Sequence, residues 1–213
     1  MKITVVYDNE VKKEGLRAGW GFSALIEDEK RPPLLFDAGA DSSTLLHNMK
    51  ELNIDPQDIG IIVISHAHGD HTGGLTGILG MNEIAELSLP SSFGRAFLGR
   101  KVTMVKDPIQ IRDNVFSTGE LKGVEQSLAL KTDRGIFVLT GCAHPAMKSI
   151  LGAAAKFGKL YGIAGGFHGF SNFSAFSDLS LICPCHCTIY KQEIRDFFKD
   201  KALECGAGLV IKL

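Results

Sequence analysis

The sequence predicts an α+β fold of stacked sheets with helices packed outside, and three observations carry that expectation. Short β-branched runs recur along the whole chain, polar turns separate them, and only a few stretches have helical spacing. With 213 residues, 45% of them hydrophobic and 22% charged, the chain is long enough for a real core. It reads as one domain over residues 1–213, because no repeat, low-complexity tract or linker-like shift interrupts it.

In chain order, strands are expected at residues 3–7, 22–27, 34–37, 61–65, 101–106, 127–132, 136–140, 160–164, 179–183 and 209–213. The run at 61–65 is apolar up to Ser65, as in a strand emerging from the middle of its sheet. Helices are expected at 42–52, opened by an Asp/Ser cap, at 145–157, with Pro145 in the first turn, and at 188–203. His144 leads the second helix and His186 precedes the third, so each stands at a strand-to-helix junction. His47 lies inside the first helix and reads as an ordinary helix residue.

A net charge of −1 excludes strong steering toward nucleic acid or an anionic membrane. No apolar stretch approaches the roughly 20 residues that span a bilayer. The N-terminal segment reads as a strand and lacks a signal-peptide core, so a cytoplasmic location is expected. Five cysteines, four of them beyond position 180, do not form a secreted disulfide framework.

The chemistry concentrates in His66-Ala67-His68-Gly69-Asp70-His71. Seven histidines in 213 residues put about 0.2 in a six-residue window, against three here. The run starts where a buried strand ends and stops at Thr72-Gly73-Gly74, read as a flexible turn. Neutral imidazoles and one carboxylate in a tight turn suit Zn²⁺, Mn²⁺ or Fe²⁺. Imidazoles at i and i+2 converge on one ion, while Asp70 and His71 face a second. Downstream, His144 and His186 stand in loops of the right kind to complete the site. His168, in Gly165-Gly166-Phe167-His168-Gly169, is read as a first contact to substrate, with proton donation and metal ligation left open.

The pattern His-x-His-x-Asp-His after a strand resembles the metallo-β-lactamase superfamily, and the resemblance covers nearly the whole chain. It implies an αββα sandwich of two mixed sheets flanked by helices. It also implies a hydrogen-bonding role for Asp37, in Leu34-Leu35-Phe36-Asp37-Ala38-Gly39, which orients the histidine loop. One departure is plain. Where relatives carry a bridging aspartate after the strand at 136–140, this chain has Cys142, which either bridges or leaves that task to water.

Further fragments, Tyr7-Asp8-Asn9-Glu10, Trp20-Gly21-Phe22-Ser23, Thr140-Gly141-Cys142-Ala143-His144-Pro145, Gly165-Gly166-Phe167-His168 and His186-Cys187-Thr188, look in their order like one branch of the superfamily. That branch is related to dihydropterin ribofuranosylaminobenzene phosphate synthase of methanopterin biosynthesis. Two features differ from the branch, Ile189 in place of a glycine after His-Cys-Thr and a short stretch between Thr72 and Ser127.

The resemblance implies a metal-dependent hydrolase acting on a small ester or phosphoester. His66, His68 and His144 would hold one divalent ion, and Asp70, His71 and His186 the other. Zinc is the expected metal, with manganese or iron as alternatives. Such a centre lowers the pKa of bound water and stabilises an oxyanion. Asp70 and His168 are the expected catalytic residues. The alternatives are a synthase joining a dihydropterin to a phosphorylated arylamine riboside with loss of pyrophosphate, and a non-catalytic metal- or ligand-binding protein. The expected partner is a small molecule, phosphorylated or not, with homo-oligomerisation left open. Cys183, Cys185 and Cys187 lack Cys-x-x-Cys spacing and, on an extended strand, share one face opposite His186, so they read as buried thiols rather than a structural zinc or iron–sulfur site.

This reading predicts about two metal ions per chain in the purified protein, measured by elemental analysis. His66→Ala and His186→Ala should lower that number, and Cys183→Ala and Cys185→Ala should not; metal lost from the cysteine variants would sink the assignment.

Overall fold

The structure is a computed structural model of the chain and describes residues 1–94, 97 and 99–213. Its strands are β1 (Lys2–Tyr7), β2 (Ser23–Asp28), β3 (Arg31–Phe36), β4 (Ile61–Val63), β5 (Glu86–Pro90), β6 (Val102–Val105) and β7 (Ile109–Arg112), then β8 (Val115–Ser117), β9 (Leu128–Thr132), β10 (Gly135–Thr140), β11 (Leu160–Gly166), β12 (Leu181–Cys185) and β13 (Val210–Lys212). The helices are α1 (Ser42–Glu51), α2 (Gly69–Thr72), α3 (Leu75–Met81), α4 (Met147–Ala154) and α5 (Lys191–Phe198), with short 3₁₀ turns between. The chain forms two mixed sheets flanked by helices, as expected, and divides into two compact units. No helix among the described residues is long and apolar enough to cross a membrane.

The first unit comprises Met1–Met104 and Cys205–Leu213. Its sheet has the order β13-β1-β2-β3-β4-β5-β6. Strands from β13 to β3 pair antiparallel, and β3, β4 and β5 pair parallel. Parallel pairing requires crossovers, which α1 supplies before β4, and α2 with α3 before β5. α1 starts where Asp41 accepts the Thr44 N–H at 2.8 Å, an N-cap that satisfies one orphan donor. It buries Leu45 and Met49, which pack with Leu75 and Ile78 of α3 against Leu35, Ile62 and Leu87 of the strands. Tyr7, at the end of β1, donates to Asp41 at 2.9 Å. Burial, helped by that hydrogen bond and the Asp41 charge, pushes the Tyr7 hydroxyl up to about 12.

The second unit, Val105–Glu204, carries a sheet of order β12-β11-β10-β9-β8-β7. Strands β7 to β10 form an antiparallel meander, while β10, β11 and β12 are parallel. Its core joins Val138, Ile163 and Ile182 of the sheet to Met147 and Ile150 of α4 and Ile194 of α5. In both units the loops bearing histidine or carboxylate leave the C-terminal ends of parallel strands.

Several elements differ from expectation. β5, β7 and β8 are strands that the sequence reading passed over. β7 and β8 are short, β7 is only partly buried, and the turn between them places Asn114 at a φ of 63°. The predicted helices at 145–157 and 188–203 are shorter, ending in 3₁₀ turns at Ala155–Phe157 and Lys199–Lys201. The stretch read as a flexible turn at Thr72-Gly73-Gly74 is instead tightly packed. Gly73 and Gly74 have right-handed helical backbones, with φ −63° and −80°. Their glycine character serves close approach, because a Cβ on Gly73 would overlap the Ala40 carbonyl, and one on Gly74 the Ala38 carbonyl.

Gly73→Ala should therefore cost about 1–3 kcal/mol in urea unfolding, although the residue is exposed. Gly80→Ala, in the same region but with open space around it, should stabilise α3 by up to about 1 kcal/mol. Equal effects from the two would contradict the packing account.

Candidate metal centre

In the first unit the site is built around Asp37, which follows β3 with a left-handed backbone, φ 59°, and is fully buried. Its Oδ1 accepts the Ser65 N–H at 2.7 Å. Its Oδ2 accepts the Ser65 hydroxyl at 2.7 Å and lies 2.7 Å from His71 Nδ1. A carboxylate only accepts, so His71 carries its proton on Nδ1 and presents the lone pair of Nε2. Ser65 gives its single hydroxyl proton to Asp37, so its oxygen accepts from His66 Nδ1 at 2.8 Å. His66 then also presents the lone pair of Nε2. One carboxylate thus sets the tautomers of two histidines.

His66 Nε2 faces His68 Nδ1 at 3.1 Å. Two nitrogens bound tetrahedrally at about 2.0–2.1 Å to one ion stand about 3.3 Å apart, so this pair already has ligand spacing. The His66 ring also lies 4.2 Å, centroid to centroid, from that of His71. Asp70 and His71 sit on α2, whose backbone is clamped from both sides. The Asp70 carbonyl accepts from Phe22 N–H at 3.2 Å, and that of His71 from Ala38 N–H at 2.8 Å. The Asp70 carboxylate receives the indole N–H of Trp20 at 3.1 Å, and Trp20 is otherwise 63% exposed.

The second unit presents its donors on three strand-end loops. Cys142 and His144 follow β10, His168 follows β11, and His186 and Cys187 follow β12. The loop after β10 is organised by Glu125, a fully buried carboxylate. Its Oε1 accepts from the Thr140 hydroxyl and from the N–H groups of Gly141, Cys142 and Ala143 at 2.9–3.2 Å, and its Oε2 from the His144 N–H at 2.9 Å. The ligand atoms of Cys142, His144 and His168 all lie within 4.8 Å of one another, and so do those of Cys142, His186 and Cys187. The rings of His144 and His168 are 4.7 Å apart. His168 thus stands in a donor group, where the sequence reading favoured a contact to substrate. Ala143, His168 and His186 all have left-handed backbones, with φ of 61°, 46° and 44°.

Four residues here were not singled out from sequence as parts of the site. Ser65 was legible from its place beside His66 at a strand end. Trp20, the single tryptophan, entered only as part of a fragment. Glu125 carries no signal in its spacing, since its partners are one hydroxyl and four backbone N–H groups 15 to 19 residues away. Cys187 was placed on one face with Cys183 and Cys185, but β12 ends at Cys185 and the left-handed turn at His186 sends Cys187 to Cys142, Sγ to Sγ 3.2 Å.

These two mixed sheets with helices place the chain in the metallo-β-lactamase fold, and comparison with solved structures agrees. Tm1679, a metal-dependent hydrolase of the β-lactamase superfamily, superposes with a TM-score of 0.77 at 26% identity, covering 100% of this chain and 99% of that one. YhfI of Bacillus subtilis, a metallo-β-lactamase fold protein, matches at a TM-score of 0.67 and 11% identity over 99% of this chain and 98% of its own, a likeness of fold alone. A family model described as Anti-Pycsar protein Apyc1 matches residues 18–88, the stretch holding Trp20, Asp37 and the histidine run. Within this superfamily fold, the chain is a homologue of 7,8-dihydropterin-6-methyl-4-(β-D-ribofuranosyl)-aminobenzene-5′-phosphate synthase from Methanocaldococcus jannaschii. The two are 29% identical over 262 aligned residues, covering 90% of this chain and 89% of the synthase.

Because Trp20 is the single tryptophan and its indole holds Asp70, metal titration should change intrinsic fluorescence. In that assay Asp37→Asn should weaken metal binding by about 10–100-fold, because it disturbs two histidine tautomers without removing a ligand. Unchanged affinity, with native circular dichroism, would refute the role given to Asp37.

Proposed function

We propose that the protein is a metal-dependent hydrolase that attacks a small ester or phosphoester with water, acting in the cytoplasm. The observation that carries this reading is the hydrogen-bond chain from Asp37 through Ser65 to His66, and from Asp37 to His71. It aims two imidazole lone pairs, the arrangement that histidine metal ligands require. In this proposal His66, His68 and His144 hold one divalent ion, zinc first among the candidates, and Asp70, His71 and His186 hold the other. Bound there, the ions would supply an activated water and neutralise negative charge developing on the substrate.

The chain's own residues have distinct tasks. Asp37 keeps protons on the Nδ1 atoms and so turns the Nε2 atoms of His66 and His71 toward a ligand role. Trp20 holds one carboxylate oxygen of Asp70. Glu125 fixes the backbone that carries Cys142 and His144. His168, exposed on its turn, can give a proton to a departing oxygen. Tm1679, described as a metal-dependent hydrolase, supports this reading.

A second reading is favoured by the homologue that covers nearly all of both chains. There the same residues would hold ions able to bind phosphate oxygens, while a dihydropterin joins a phosphorylated arylamine riboside and pyrophosphate departs. The metal-loaded protein should cleave bis(p-nitrophenyl) phosphate, and Asp70→Ala should lower that rate by about 100-fold or more. Absence of cleavage, together with pyrophosphate release from the pterin and the phosphorylated riboside, would replace hydrolase by synthase.

A further inference from the structure

We propose that Cys142 and Cys187 are metal ligands, with the Cys142 thiolate shared between the two donor groups of the second unit and Cys187 bound beside His186. This rests on the metal-dependent reading above and adds to it the chemical character of the site.

The geometry is that of ligands rather than of core filling. Both sulfurs are thiols, and the residues are 2% and 7% exposed. Cys142 is the member common to the group with His144 and His168 and the group with His186 and Cys187. A sulfur common to two donor groups can bridge two ions, where an imidazole nitrogen with one lone pair cannot. The two sulfurs lie 3.2 Å apart, whereas two thiolates bound tetrahedrally at about 2.3 Å to one ion stand about 3.8 Å apart, so less than an ångström of movement suffices.

The surroundings make room for these sulfurs. A Cβ on Gly166, the last residue of β11, would sit 2.5 Å from Cys187 Sγ. The Cys142 backbone is tied to Glu125 at 3.0 Å, which holds the loop in place. Cys183 and Cys185 stand 3.8 Å apart, sulfur to sulfur, and group with Cys205, but that group contains no histidine, and Cys185 gives its thiol hydrogen toward the Cys183 carbonyl at 3.2 Å. On binding, each ligating thiol releases its proton to solvent, and the resulting soft donors favour Zn²⁺, Fe²⁺ or Co²⁺ over Mg²⁺ or Mn²⁺.

The test is cobalt(II) titration of the metal-free, fully reduced protein, followed by absorption spectroscopy. Expected are visible d–d bands and, rising with them, a near-ultraviolet sulfur-to-cobalt charge-transfer band. Cys142→Ser and Cys187→Ser should each remove about half of that band, and Cys183→Ser none of it. Visible bands without charge transfer would overturn thiolate ligation and leave the metal reading standing. No cobalt uptake at all would overturn both. Should the serine variants fail to fold, zinc-edge X-ray absorption of the wild-type protein decides the matter. A sulfur shell at about 2.3 Å supports the proposal, and a shell of nitrogen and oxygen alone overturns it.

Discussion

Everything the histidine run does depends on how the Asp37 carboxylate spends its two oxygens. One takes the Ser65 backbone N–H, and the other takes the Ser65 hydroxyl and the His71 ring. A buried carboxylate without such donors would be costly in a low-dielectric interior, so burial and hydrogen bonding have to arrive together. Here they do, because β3 and β4 run parallel and deliver Asp37 and Ser65 to the same edge of the sheet. The result is a loop whose ring nitrogens are set by the scaffold before any ligand binds.

The second unit uses the same device with different parts. Glu125 gathers four donors on one oxygen and a fifth on the other, nearly all of them backbone groups of the loop after β10. Left-handed backbones at non-glycine residues cost roughly 1–2 kcal/mol each, and several of them, at Asp37, Ala143, His168 and His186, fall in the loops after strands that bear donors. Such conformations persist where the surrounding hydrogen bonds leave no cheaper choice. In both units, then, a buried acid offsets backbone strain and keeps donor side chains pointed.

The fold alone does not select the reaction. The same scaffold is found in Tm1679, described as a hydrolase, and the homologous methanococcal protein is a synthase. Both chemistries call for donors that tolerate negative charge building on oxygen. What separates them is the nucleophile and the room for the second substrate, which depend on side chains outside the shared motif. The single tryptophan, exposed and tethered to Asp70, lies outside that motif.

The sequence by itself determined the fold class, most strands and the helices α1, α4 and α5, but not α2 and α3. Continuous apolar runs and an Asp cap are local signals, read without knowing the partner. It also marked His66, His68, Asp70, His71, His144, His168 and His186, because a histidine cluster after a strand and single histidines in the loops after strands are rare enough to stand out. Only the tertiary structure decided which ring nitrogens are available, that Glu125 organises a loop 15 or more residues away, and that Cys187 leaves the face of its neighbours to meet Cys142. Those depend on register between strands and on a left-handed turn at His186, which no spacing along the chain encodes. Gly73 shows the same limit: composition suggested freedom, and the nearby Ala40 carbonyl made it a packing requirement.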